Sequence, residues 1–174
     1  MNENIRSKYS EYTENSRNTV AFVKKITQEH TRELENIIRY VDKKCVAGEN
    51  GLHIDLSYEE LEMLAIKIPA LCMNLQIKLN DFSVKSNITE LLSDAVVIKE
   101  LENIKGEKGE AREKMKRAEA HSVEDKIVDV IDKQICQNLK DVIVRADRVY
   151  EGIKKVIDGR IRENDYNRKS QQFI

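Results

Sequence analysis

Apolar residues recur along this chain at alternating spacings of three and four, with polar and charged residues between them. Leu139, Val142, Ala146, Val149, Ile153 and Val156 follow the rule most regularly. That spacing is a heptad seam, which lets one helix pack along another. Ile143, Tyr150 and Ile157 run beside it and widen it. The surrounding stretch, residues 122–163, reads as one long amphipathic helix that opens at Ser122 and Asp125, a Ser-x-x-acid cap. A second seam, Val20, Val23, Thr27, His30, Leu34, Ile37 and Val41, with Ile26 and Ile38 alongside, predicts a helix from about Thr13 to Ala47. Gly48, Glu49, Asn50 and Gly51 favour turn and left-handed conformations and are expected to stop it.

The middle of the chain changes period. Leu52, Ile54 and Leu56 alternate with His53 and Asp55, which predicts a short extended segment. Ser57 and Glu60 then form a capping box. Leu61, Leu64, Ile68, Leu71, Leu75 and Leu79 give the stripe of the helix that follows. Pro69 removes one backbone donor inside it and predicts a kink, because the stripe resumes beyond it. Residues 80–86 fit either a turn or continued helix. Ile88, Leu91, Leu92, Ala95, Val96 and Leu101 carry a further apolar face. Residues 105–118 hold six basic and three acidic side chains with two glycines, the texture of a flexible connection or an exposed helical turn. The last ten residues lose periodicity and are expected to fray. The pattern predicts an all-α protein, an elongated bundle of coiled-coil-like helices. More than about 60% helix is expected, against a usual one-third. Residues 1–50 form an N-terminal amphipathic helix and residues 51–174 a helical core.

Composition adds an expectation about assembly. Charged residues make up 35% of the chain and aromatic residues 5%, with one proline and no tryptophan. A core this poor in aromatic rings leaves long seams that 174 residues do not cover by folding back. A homo-oligomer is therefore expected, with Leu139, Val142, Ala146, Val149, Ile153 and Val156 as the shared seam. The net charge of −1 exerts no overall pull on nucleic acid or anionic membrane. Charge is local: residues 54–104 carry nine acidic and four basic side chains, and residues 140–169 carry six acidic and nine basic ones.

The first sixteen residues are polar and lack the apolar stretch of a signal peptide. No run of eighteen apolar residues exists to span a membrane. Cys45, Cys72 and Cys136 are isolated and odd in number, which fits a reducing compartment and half-buried helix positions. Cytoplasmic residence is the expectation. There is no GxxxxGK[ST], GxGxxG or HExxH motif and no CxxC pair. His30, His53 and His121 are scattered, and His30 reads as a packed or edge residue of its seam. No metal or cofactor is expected, and the chain does not read as an enzyme. What remains is basic surface. Tyr150 stands between Arg148 and Lys154, and Tyr166 stands near Arg168 and Lys169. Cations contact phosphates, and aromatic rings offer platforms on which unpaired bases stack. The same charges equally serve to solvate a helix, with Tyr150 packed beside Ile143 and Ile157.

The LxIxLSxEEL segment at Leu52–Leu61, the Lys-Ile-Pro at Lys67–Pro69, the charged linker Gly106–Ala118 and the long helix Val123–Asp158 together resemble the UvsY-like recombination mediators of bacteriophages. The resemblance covers about residues 52–165. It implies an all-helical, oligomeric protein that binds single-stranded DNA and helps load a RecA-type recombinase in place of the single-strand-binding protein. On that resemblance, Lys114, Lys116, Arg117, Arg145, Arg148, Lys154, Lys155 and Arg160 are assigned to DNA. Two other classes stay open. One is a small phage-type helical module that inhibits or tethers a host protein through its acidic face, Asp55 to Glu102, or its N-terminal helix. The other is an architectural coiled coil.

Overall fold

A computed structural model describes residues 3–48, 51–104, 111–120 and 122–171. The elements run α1 (Glu3–Lys44), β1 (Cys45–Gly48), β2 (Gly51–Ile54), α2 (Tyr58–Asn103), α3 (Ala111–Ala120) and α4 (Val123–Gln171). The helices span 42, 46, 10 and 49 residues, so the protein is all-α apart from one short hairpin. Residues 105–110, which belong to the expected linker, lie outside the described residues. So do His121 and the Glu49–Asn50 pair.

The hairpin corrects the expected end of the first helix. α1 stops at Lys44, and Cys45–Gly48 form a strand antiparallel to Gly51–Ile54, with Cys45 opposite Ile54 and Gly48 opposite Gly51. The extended segment needs partners for its backbone donors and acceptors. The residues just before the glycines supply them. Cys45 is accordingly exposed rather than half-buried. The Asp55 amide donates to the Lys44 carbonyl at 2.8 Å and closes the hairpin onto the end of α1.

The α2 capping box forms as expected. The Ser57 amide donates to Glu60 Oε2 at 2.8 Å, and the Glu60 amide donates to Ser57 Oγ at 3.2 Å. Tyr40 adds its hydroxyl to the other Glu60 oxygen at 2.7 Å and ties α1 to the start of α2. The Ser57 amide, then the Tyr40 and Ser57 hydroxyls, hold the Glu60 carboxyl below its usual range. α2 continues through Pro69 and through residues 80–86 without a break. At the other cap the pattern marks the right start by a different bond. The Ser122 hydroxyl donates to the Glu119 carbonyl at 3.0 Å, closing α3 rather than forming a box with Asp125. α4 carries on to Gln171, past the point where periodicity fades. Arg168 and Lys169 in its last turn complement the helix dipole.

The chain divides into two compact units, and neither follows a boundary near residue 50. The first holds Met1–Gln28 and Lys78–Asn138, and the second holds Glu29–Ile77 and Leu139–Ile174. Each takes a piece of α1, α2 and α4.

The second unit has an apolar interior. Leu34, Ile38 and Val41 of α1 are buried, as are Leu56, Leu61, Leu64, Ile68, Cys72 and Leu75, and Leu139, Val142, Ala146 and Ile153 of α4. Burying each Leu, Ile or Val contributes about 1.5–3 kcal/mol before the entropy of ordering is charged against it. The α4 residues overturn an expectation. The seam assigned to contacts between subunits is buried within the chain itself: Leu139, Ala146 and Ile153 are 0% exposed. Val149 and Val156 are half-buried at its edge. On the α1 seam Val23, Thr27, Leu34 and Val41 are buried as expected, with one local difference. Thr31 is fully buried where His30 was expected, and His30 is exposed. Lys67 meets Glu33 at 2.7 Å and Arg145 meets Glu35 at 3.5 Å on the surface of this unit. Such exposed pairs contribute little.

The first unit mixes polar and apolar side chains in its interior. Its buried side chains include Thr27, Ser86, Ser93, Ser122 and Asp132, beside Val23, Leu79, Val97, Ala118, Ile135 and Cys136. Its large apolar residues Val84, Ile88, Leu91, Leu92 and Ile98 of α2 are exposed. The buried polar groups are partly matched. Ser86 donates its hydroxyl to Asp129, and Asn138 donates to the Thr27 hydroxyl at 3.3 Å. Burial works upward on Asp129. The Lys133 ammonium at 2.8 Å and the Ser86 hydroxyl outweigh it and hold that carboxyl low.

Asp132 is the misfit. Burial pushes its carboxyl above the usual range, Asp129 adds to the rise, and Lys85 only partly opposes it. A carboxyl raised on folding costs stability when ionised, so at neutral pH Asp132 weakens the fold. Asp132→Asn should therefore raise Tm at neutral pH. The gain should shrink as pH falls through the raised native pKa toward the unfolded one, because the wild-type carboxyl then becomes neutral as well. Thermal melts at pH 7 and pH 4 check this; an equal gain at both values would refute the electrostatic cause.

Candidate nucleic-acid interface

The eight basic residues assigned to DNA fall into two groups. Lys114, Lys116 and Arg117 lie on α3 in the first unit. Arg145, Arg148, Lys154, Lys155 and Arg160 lie on α4 in the second. On α3, Lys116 and Arg117 are exposed and Lys114 is half-buried.

Helical phase separates the α4 residues further. Arg145, Arg148 and Lys155 share one side of α4. The three-four rule that places them there also takes in Gly152, Gly159, Arg162 and Tyr166. From Arg145 to Tyr166 the strip reads Arg, Arg, Gly, Lys, Gly, Arg, Tyr and runs about 32 Å at 1.5 Å per residue. All four cations are exposed, although Arg145 also meets Glu35 at 3.5 Å, and Tyr166 is 73% exposed. Arg162, Glu163, Tyr166 and Asn167 line a shallow open depression at its C-terminal end.

Lys154 and Arg160 stand elsewhere. Lys154 shares a flank with Asp147, Glu151 and Asp158 at the same helical spacings. It meets Glu151 at 3.4 Å and lies over the Tyr150 ring, 5.3 Å from its centroid. Its charge is thus offset locally, and half-buried Tyr150 is engaged within the helix surface. Arg160 falls seven residues after Ile153, at the position that continues the buried seam, and is half-buried. Sequence reasoning assembled the basic residues but missed Gly152, Gly159, Arg162 and Tyr166 as members of one strip. The signal was the three-four spacing already used for apolar residues, applied to charge.

Gly152 and Gly159 leave helix backbone uncovered between the cations. A Cβ at either would meet nothing within 4 Å. Glycine inside a helix costs roughly 0.5–1 kcal/mol relative to alanine. Gly152→Ala with Gly159→Ala should therefore stabilise the chain by about 1–2 kcal/mol. A chemical denaturation midpoint that fails to rise would refute the open-space reading.

Other chemistry is sparse. Burial pushes the Cys72 thiol up to about 11, with Asp147 adding to the rise, so it stays protonated at neutral pH. The Cys136 thiol donates to the Leu79 carbonyl at 3.8 Å. Among the described residues no group of three or more His, Cys, Asp or Glu is placed to hold a metal ion. No described helix is long and apolar enough to cross a membrane. No known family pattern, curated protein or solved structure matches the chain.

Proposed function

We propose that this chain is a non-enzymatic, cytoplasmic accessory protein that binds single-stranded DNA and assists the loading of a RecA-type recombinase, as the phage mediators it resembles do. The observation that carries the reading is the α4 strip: four exposed cations in helical register, two glycines and a terminal exposed tyrosine. Phosphates need spaced cations, close approach needs uncovered backbone, and an unpaired base needs a ring to stack on. Repetition of the strip in an oligomer would add multivalency to a site of only four charges.

Fluorescence anisotropy with a labelled oligothymidylate at low salt tests the binding step. Saturable binding that weakens steeply with salt is expected. No binding at tens of micromolar protein would overturn it and leave the host-protein module or the architectural coiled coil. The loading step is tested by recombinase ATPase activity on strands coated with single-strand-binding protein, which the chain should accelerate.

A further inference from the structure

α2 is apolar on two opposite sides. One side is buried within the chain, from Leu61 to Val97. On the other, Met63, Ala70, Ile77, Val84, Leu91 and Ile98 recur every seven residues, and all six are exposed. Ile66 and Met73 fill the intervening core positions early in the helix, and Ile88 and Ala95 fill them later. Between Ile77 and Val84 the three-four alternation gains one extra four, with Asn80 and Asp81 at the change. That is a stutter, a local unwinding that coiled coils tolerate. Ile66 is 76% exposed, Met73 71% and Leu91 69%, so the stripe has no cover in the single chain. A contiguous apolar stripe of this length marks an interaction surface. The first unit leaves Val84, Ile88, Leu91, Leu92 and Ile98 facing out although Ser86, Ser93 and Asp132 are buried inside it.

We infer that this stripe is where copies of the chain assemble, α2 packed parallel and in register against α2 of another copy. Charge selects this occupant and this direction. Lys67, Lys85 and Lys99 follow the stripe on one flank, where Lys78 meets Asp81 at 3.7 Å, whereas Glu62 and Asp94 stand on the other. Parallel packing sets each flank against the opposite flank of the neighbour, five residues further on. Asp94 then faces Lys99 of the second copy. Glu62 and Lys67 repeat the relation at the start of the stripe, where Lys67 also reaches Glu33. Antiparallel packing would set the lysine flank against itself, a like-charge arrangement that disfavours it. The polar break at Asn80 and Asp81 restricts register further, as a polar residue in a coiled-coil core does. This assembly stands whether or not the α4 strip binds nucleic acid, since it uses none of the same residues.

Light scattering of the intact protein at micromolar concentration should show more than one copy, and a monomer overturns the inference. Ile88→Asp with Leu91→Asp should weaken self-association by about two orders of magnitude, the effect of two interface hot spots. Helicity should hold, because both side chains are exposed. An assembly that survives this pair also overturns the inference. Direction is read separately. Ala95→Cys in a Cys45→Ser background should form a disulfide between copies under mild oxidation, since parallel, in-register packing brings residue 95 to its own counterpart. An assembly that gives no such cross-link overturns the parallel arrangement. Anisotropy with single-stranded DNA decides the other reading on its own.

Discussion

Replacing Ile153 by Asp should unfold this chain outright. Ile153 is 0% exposed and sits between Ala146 and the half-buried Val156 on the inner side of α4. Truncating such a side chain costs about 2–5 kcal/mol. An aspartate there adds the cost of a buried carboxylate with no partner, several kcal/mol more, or the cost of protonating it. Domains of ordinary size have about 5–15 kcal/mol in all. The far-ultraviolet dichroism of helix should therefore be lost at 25 °C, and thermal melts should show no cooperative transition. A seam shared between subunits, as its spacing predicts, would instead make Val149→Asp with Ile153→Asp separate the subunits. Intact helicity with a smaller mass would restore that expectation and refute the intramolecular seam. Val149→Asp alone should do less than Ile153→Asp, because Val149 is only half-buried.

The contrast shows what periodicity contains and what it omits. A heptad spacing says that a helix face is covered; it does not say by what. Leu139 to Val156 and Met63 to Ile98 obey the same rule, yet one is buried by its own chain and the other is exposed. The leucines of α2 mark its inner side, whereas methionine, alanine, valine and isoleucine share the outer side and give a weaker stripe. Ile88, Leu91 and Ala95 were legible as one apolar face without any sign of which way it points. A three-four rule is also uncertain by one residue where polar side chains occupy the seam. That is why His30 stood in for Thr31, whose small side chain fits inside. The Ser57–Glu60 box was fully legible, because both partners lie within one turn and need no tertiary context. The β1 strand was not, because four residues with weak strand character pair only once a neighbour presents an open edge.

Lys154 and Arg160 lie off the basic strip by helical phase, so DNA binding through the strip should be selective among the α4 cations. Arg148→Ala, Lys155→Ala and Arg162→Ala together remove three of the four cations on the strip. If each meets a phosphate, affinity for a single strand should fall by a factor of about ten or more per contact at low salt, from the order of 1.5 kcal/mol that a charge-assisted hydrogen bond contributes. The slope of log affinity against log salt should fall by about two units, at roughly 0.7 per phosphate neutralised. Lys154→Ala should leave both quantities nearly unchanged, because that lysine is engaged with Glu151 and Tyr150. Arg160→Ala should act mainly on stability, as befits a residue that continues the buried seam. Tyr166→Ala should lower affinity without changing the salt slope, since stacking releases no counterion. Helicity and self-association should be unaltered in the triple variant, whose side chains are exposed on α4. A triple variant that binds with wild-type affinity and slope, while Lys154→Ala binds weakly, would show that the Lys154 flank of α4 and not this strip meets the strand.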